Sequence, residues 1–192
     1  KRLVLHDFNR ADLNNNLRGL SGTWNLDETD PNSECNALVD STHKMGDTGN
    51  ALYVSYKLSP KQSEKNGLWS QNGFWTNLDK LDATGYDHLK FWVKGDPKLG
   101  FAKSFKIEFK KPKPDSPGEM DKASYIVTGV TDQWQKISIP LNIMNGLFHW
   151  NDPGSAWKDL EELVISFHSR RADVKQGAYH FDDIALVRTG DR

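Results

Sequence analysis

Leu89-Lys90-Phe91-Trp92-Val93-Lys94, followed by Gly95-Asp96-Pro97, is the stretch on which the fold turns. Leu89, Phe91 and Val93 alternate with Lys90, Trp92 and Lys94. A period of two gives an extended strand one buried side and one mixed side. The Gly-Asp-Pro that follows is turn chemistry, because proline fixes φ and removes a ladder donor. The same grammar recurs on both sides. Leu52, Val54, Tyr56 and Leu58 alternate with Tyr53, Ser55 and Lys57, and Phe105, Ile107 and Phe109 alternate with Lys106, Glu108 and Lys110. Ile137, Ile139 and Leu141 flank Ser138, and Leu163, Ile165 and Phe167 alternate with Val164, Ser166 and His168. Gly and Pro clusters at 46–49, 112–118 and 151–154 separate these runs. Many half-buried strands with short turns predict an all-β sandwich of two antiparallel sheets. Helical sequence is confined to single turns at 11–17 and 155–160. The stretch from Ser59 to Leu78, polar but for Trp69, Phe74, Trp75 and a few others, reads as a long loop.

The 192 residues suit one substantial core, so a single domain is expected over 1–188, with 189–192 as a tail or the start of a linker. Hydrophobic residues at 36% and charged residues at 27% are those of a folded chain. The net charge of -1 lacks the basic excess of a phosphate-tracking surface, so no nucleic-acid partner is expected. The local cluster Lys103, Lys106, Lys110, Lys111 and Lys113 reads as a solvated strand and loop. No apolar run approaches the roughly 20 residues of a membrane span, and no membrane partner is expected. Cys35 stands alone, which excludes an intrachain disulfide; it reads as a small buried hydrophobe. The chain opens at Lys1-Arg2-Leu3, directly ahead of strand-like sequence, as expected of a domain belonging to a longer multidomain protein.

Several segments, taken in order, carry a resemblance. They are Leu5-His6-Asp7-Phe8, the run from Asp47 to Val54, the run from Leu81 to Gly95, Trp134 to Leu141, Leu160 to Ile165, and Gly177 to Leu186. Together they resemble the β-sandwich carbohydrate-binding modules attached to bacterial glycoside hydrolases, including the family 11-like modules. They also resemble the related complex I intermediate-associated domain. The resemblance implies a galactose-binding-like jelly-roll fold. It also implies non-catalytic binding of a polysaccharide or oligosaccharide, and a secreted or cell-surface location beside a glycan-active enzyme. An assembly-factor role through a protein partner is the alternative that the second relative implies.

The pair Asp182-Asp183 lies inside the last strand. Tyr179 and Phe181 share one parity and Ile184 and Leu186 the other, so the apolar face switches at the acidic pair and a bulge is expected there. A buried carboxylate without a partner is costly, which favours either a cation or several backbone N–H groups. In the resembling modules the matching pair helps to hold a structural calcium. Carried over, Asp183 is the first ligand and Asp7 the second, with Asp182 beside them and backbone carbonyls around Lys44 and Asp47 completing an oxygen shell.

Sugars present apolar faces and hydroxyl rims, so their sites combine flat aromatic rings with carboxylates, amides and bases. Seven tryptophans are many for this length. Trp24 and Trp134 read as core or strand-edge residues. Trp69 and Trp75 in the expected loop, Trp92 at an outward strand position, and Trp150 before Asn151 are the candidates. Each could equally seal an edge of the sandwich. A second set lies on outward strand positions: Tyr53, Lys106, Glu108 and His168, continued by Arg170 and Arg171. If these strands line the concave sheet, they make a polar row rather than an aromatic trench, which allows a polar or acidic glycan.

Catalytic templates are missing. No GxSxG, HExxH, CxxC or phosphate-cradling glycine loop is present, and the six histidines lack metal-ligand spacing. Glu108 with Asp173 as a hydrolase pair, or His168 with Arg170 and Lys106 as a lyase set, are the only enzymatic readings, and the chain is expected not to be an enzyme.

Overall fold

Alternation over the whole chain resolves into eleven strands in the computed structural model, which describes residues 1–47, 49–63, 65, 67–146 and 156–190. One sheet contains β1 (Arg2–His6), β3 (Glu34–Asp40), β4 (Ala51–Lys57), β6 (His88–Gly95), β9 (Gln135–Pro140) and β11 (Gln176–Val187). Its order is β3-β4-β11-β6-β9, with β1 also paired to β11. The second sheet contains β2 (Ser21–Asn25), β5 (Gln71–Leu81), β7 (Ser104–Pro112), β8 (Met120–Thr128) and β10 (Leu160–His168), in the order β2-β5-β10-β7-β8. Every pairing is antiparallel. Among the described residues the only helical element is a 3-10 turn at Leu141–Ile143. The sandwich expected from the period of two is therefore present.

Inward side chains of the two sheets meet in one core. Leu52, Val54, Phe91, Val93 and Phe181 come from the first sheet and Phe74, Ile107, Phe109, Leu163 and Ile165 from the second, all nearly inaccessible. Each such side chain contributes roughly 1.5–3 kcal/mol by leaving water. Aromatic rings mesh across the layers: Tyr179 stacks on Phe167 at 5.4 Å and meets Phe105 edge-on at 5.3 Å. Cys35 is buried, as expected, and burial pushes its thiol up to about 12.

The structure corrects the reading of 59–78 as a loop. From Gln71 onward the chain is β5, an 11-residue strand between β2 and β10. Its inward positions are Asn72, Phe74, Thr76 and Leu78, all buried. Polar residues at two of these four positions hide the alternation, and both are hydrogen-bonded within the protein, although Asn72 Oδ1 has no partner among the described residues. Asn72 Nδ2 donates to the carbonyls of Glu34 at 2.9 Å and Lys57 at 2.7 Å, tying the second sheet to β3 and β4. Thr76 Oγ1 accepts from Asn15 at 2.7 Å and from Ser21 at 2.7 Å.

The expected bulge is present in β11. The register shifts between Asp182 and Ala185, and Asp183 takes a φ of 53°. The bulge marks a handover, since residues 176–181 pair with β4 and residues 184–187 with β1. Side-chain parity changes where the partner changes. At the chain ends the Arg188 N–H donates to the Lys1 carbonyl at 2.8 Å, and the Thr189 N–H donates to the Asp87 carboxylate.

Candidate functional site

The outer face of the second sheet is built in rows across its strands. Gly22, Trp75, Val164, Glu108 and Ser124 form one row. Trp24, Gly73, Ser166, Lys106 and Ile126 form the next. Each tryptophan thus stands opposite a glycine on the adjacent strand. A Cβ on Gly22 would lie 3.3 Å from the Trp75 ring, so the indole rests flat on that glycine. A Cβ on Gly73 would lie 2.0 Å from the Ile165 carbonyl oxygen, so no other residue fits there. Gly22 thus leaves room for the Trp75 indole, while Gly73 faces Trp24 only in register.

Long side chains reach across the face. Trp24 comes from the edge strand β2 and Lys110 from β7, three strands away, yet the Lys110 ammonium is 6.0 Å from the Trp24 ring centroid. Val164, Ser166 and Glu108 point outward but are at most 4% exposed, because the side chains around them lean inward over the sheet. At the bottom the Glu108 carboxylate is held by Lys106 Nζ at 2.9 Å and faces Ser166 Oγ at 3.5 Å. Lys110 also faces Glu162 at 3.6 Å. Trp24 Nε1 is buried with no hydrogen-bond partner among the described residues.

His168, at the rim, accepts the Arg170 N–H on Nδ1 at 3.1 Å, which leaves the neutral ring's proton on Nε2. Burial, with Arg171 and Lys106 nearby, holds its pKa below the usual histidine value. Arg170 and Arg171 sit exposed at the turn after β10. Trp69 is half-buried ahead of β5 and bridges to Gln62. Beside it, beyond the end of the face, opens a polar cleft of about 410 Å³ lined by Asp27, Asp30, Asn32, Lys61 and Ser63 among others.

The residues singled out from the sequence therefore fall into two groups. Trp75, Lys106, Glu108 and His168 share this face, with Trp69, Arg170 and Arg171 at its end. Tyr53 and Trp92 lie on the outer face of the other sheet, on β4 and β6. There the Lys136 ammonium covers the Trp92 ring at 5.6 Å, as Lys94 covers Trp134 at 5.4 Å. Trp150 lies outside the described residues. Trp24 was read as an edge or core residue. It is on an edge strand, but it faces outward opposite Gly73; the signal was its spacing of two from Gly22.

The acidic residues divide as well. Asp183 pairs with Arg2 on the outer face of the first sheet, in a hollow shared with Lys90, Trp92 and Lys136. Asp182 is the buried member, 7% exposed, and receives the Met45 and Asp183 N–H groups. Burial, together with the charges of Asp183 and Asp7, pushes its pKa up to about 6. Asp7 is bound by Asn16 Nδ2 at 3.0 Å and the Asn9 N–H at 3.1 Å. Lys44 is half-buried and Asp47 exposed in the loop after β3 that also supplies Met45.

A sequence model described as carbohydrate binding domain 30 matches residues 13–187. No curated protein sequence matches the chain. Among solved structures, the family 11 carbohydrate-binding module of the cellulosomal cellulase Lic26A-Cel5E of Clostridium thermocellum superposes with a TM-score of 0.70 at 18% identity, covering 100% of this chain and 97% of that one. The family 30 module of the cellulosomal cellulase Cel9D-Cel44B of the same organism gives 0.66 at 18% identity, covering 100% and 99%. A Clostridium thermocellum family 11 module in complex with a β-1,3-1,4-mixed-linked tetrasaccharide gives 0.68 at 18% identity, covering 100% and 98%. These likenesses bear out the jelly-roll sandwich.

Proposed function

This chain belongs to the carbohydrate binding domain 30 family, and from that premise we propose that it holds a β-glucan chain along the outer face of β2-β5-β10-β7-β8. Membership makes the domain a non-catalytic binder of carbohydrate, and the hydrolase and lyase readings fall away. The observation that carries the location is the crossed pair of tryptophans, each lying opposite a glycine. Trp24 and Trp75 offer flat apolar surface to pyranose faces. Glu108, Lys106, Lys110 and Ser166 lie between and beside them and can exchange hydrogen bonds with hydroxyl rims. Trp92 is no part of this platform, because it lies on β6 in the other sheet. The domain would serve to keep an attached glycan-active enzyme at its polymer outside the cell.

The test is a titration with mixed-linkage β-1,3-1,4-glucan, with polygalacturonate as the acidic arm. Trp24→Ala and Trp75→Ala are each expected to lower affinity for the neutral glucan by tenfold or more, and Trp92→Ala to leave it within twofold. Loss of binding in Trp92→Ala alone would move the site to the other sheet. Binding only to polygalacturonate would overturn the neutral-glucan assignment.

A structural calcium is the second part of the proposal. Asp182 is nine-tenths buried with Asp7 in electrostatic reach. Its two N–H bonds offset part of its charge, and the remainder suits a hard cation with oxygen ligands. Asp182 and Asp7 would hold the ion with backbone carbonyls of the loop around Lys44 and Asp47, while Asp183 stays with Arg2. Removing calcium with a chelator is expected to lower the Tm by several degrees, and Asp182→Asn to abolish that dependence. A chelator-insensitive melt would refute the ion.

A further inference from the structure

Asp40, His43 and His180 meet on the outer face of the first sheet, on the far side of the sandwich from the tryptophan pair. Asp40 ends β3, His43 follows in the next loop, and His180 lies in the middle of β11. One ligand atom of each lies within 4.8 Å of the others. His180 is 1% exposed, and its Nδ1 has no hydrogen-bond partner among the described residues. Asp40 Oδ2 is 3.6 Å from that nitrogen and 2.9 Å from His43 Nδ1. A buried ring nitrogen with nothing to bond is destabilising unless something takes its lone pair.

We propose that Asp40, His43 and His180 bind one imidazole-preferring divalent metal ion of the zinc type, with a water in the fourth position. Two imidazoles and a carboxylate are a donor set for zinc rather than for calcium, which takes oxygen ligands. Tetrahedral bonds of about 2.0–2.2 Å set ligand atoms roughly 3.3–3.6 Å apart. The 3.6 Å from His180 Nδ1 to Asp40 Oδ2 is such an edge. The shorter His43–Asp40 hydrogen bond would be exchanged for metal ligation. His43 can turn to do this, since its side chain is 43% exposed.

The far side of His180 supports the assignment. Its Nε2 faces Asp96 Oδ2 at 3.7 Å. The N–H groups of Lys98 and Leu99 fix Asp96 through its other oxygen, at 2.7 and 3.2 Å. A carboxylate behind an imidazole places the ring proton on the outer nitrogen and turns the inner lone pair toward the metal. Tyr53 and Trp134 wall the ring, at 5.0 and 6.5 Å. The nearby Lys94 ammonium is drawn over Trp134.

The whole chain, stripped of metal and then saturated with Ca²⁺, is titrated with Zn²⁺ in competition with a chromophoric chelator. One equivalent is expected to bind, and Co²⁺ in its place to give the strong visible absorption of a four-coordinate site. His43→Ala, a loop change that removes no core contact, is expected to weaken Zn²⁺ binding at least tenfold, and His88→Ala to leave it unchanged. Affinity for mixed-linkage glucan should be the same with and without Zn²⁺, whatever its value, which keeps this result separate from that of the glucan site. Less than one equivalent of Zn²⁺, or unchanged binding in both His43→Ala and Asp40→Asn, would overturn the proposal.

Discussion

Asn72 shows how much one polar side chain inside the sandwich can do. Its amide reaches from β5 to carbonyls on β3 and β4, so it fastens one sheet to the other. Asn72→Ala would leave two carbonyls without that donor in a buried place. A loss of about 2–3 kcal/mol is expected, measured by urea unfolding. His168 gives a pH dependence. Burial and the nearby bases depress its pKa in the folded state. The unfolded chain therefore takes up a proton first as pH falls, and stability is lost below about 6.5, the ordinary histidine value. His168→Gln is expected to lose less stability than the parent between pH 7 and 5. His6 and His180 are depressed too, so the difference between the two proteins, not the slope of either, isolates this residue. The Asp40–His43–His180 cluster could not be read from spacing. His43 and His180 are far apart in the chain, and only the pairing of β3 and β11 with β4 brings them together.

At the scale of the element, the strands with a clean alternation were legible: β4, β6, β7, β9 and β10. The acidic pair in β11 even announced its bulge, because a parity switch inside one strand has few other causes. β5 was not legible, since Asn72 and Thr76 occupy core-facing positions and make a strand look like a polar loop. The glycines of this region divide sharply in what they tolerate. Gly73→Ala would drive a Cβ into the Ile165 carbonyl, and a loss of roughly 2–3 kcal/mol or more is expected in urea unfolding. Gly22→Ala meets only the Trp75 ring, at 3.3 Å. It should change stability little but tilt the indole, lowering glucan affinity several-fold by titration calorimetry. Equal effects of the two changes on stability would contradict the geometry.

At the scale of the molecule, strand parity tells which residues face outward but not to which sheet a strand belongs. For that reason Tyr53 and Trp92 were grouped with Trp75, Lys106, Glu108 and His168, although a whole sandwich separates the two sets. Once topology assigns the strands, the chemistry divides too. The sheet of β2, β5, β10, β7 and β8 carries the tryptophan pair. The sheet around β11 carries the carboxylates and histidines suited to cations.

The pairing of β1 with the end of β11 has a consequence for connectivity. The Lys1 carbonyl and the Arg188 N–H are joined by a hydrogen bond, so both ends leave from one point on one edge. A short Gly/Ser tether could therefore join the two ends with little loop-closure entropy, and new ends could be cut at the exposed turn around Gly118. Such a circular permutant is expected to keep the parent's melting temperature within a few degrees, and a collapse of the melt would show that the chain ends themselves brace the sheet. In a longer polypeptide the same geometry makes the domain a pendant. Neighbours on either side pull at a single site on the cation-suited sheet, and the aromatic face swings free of both.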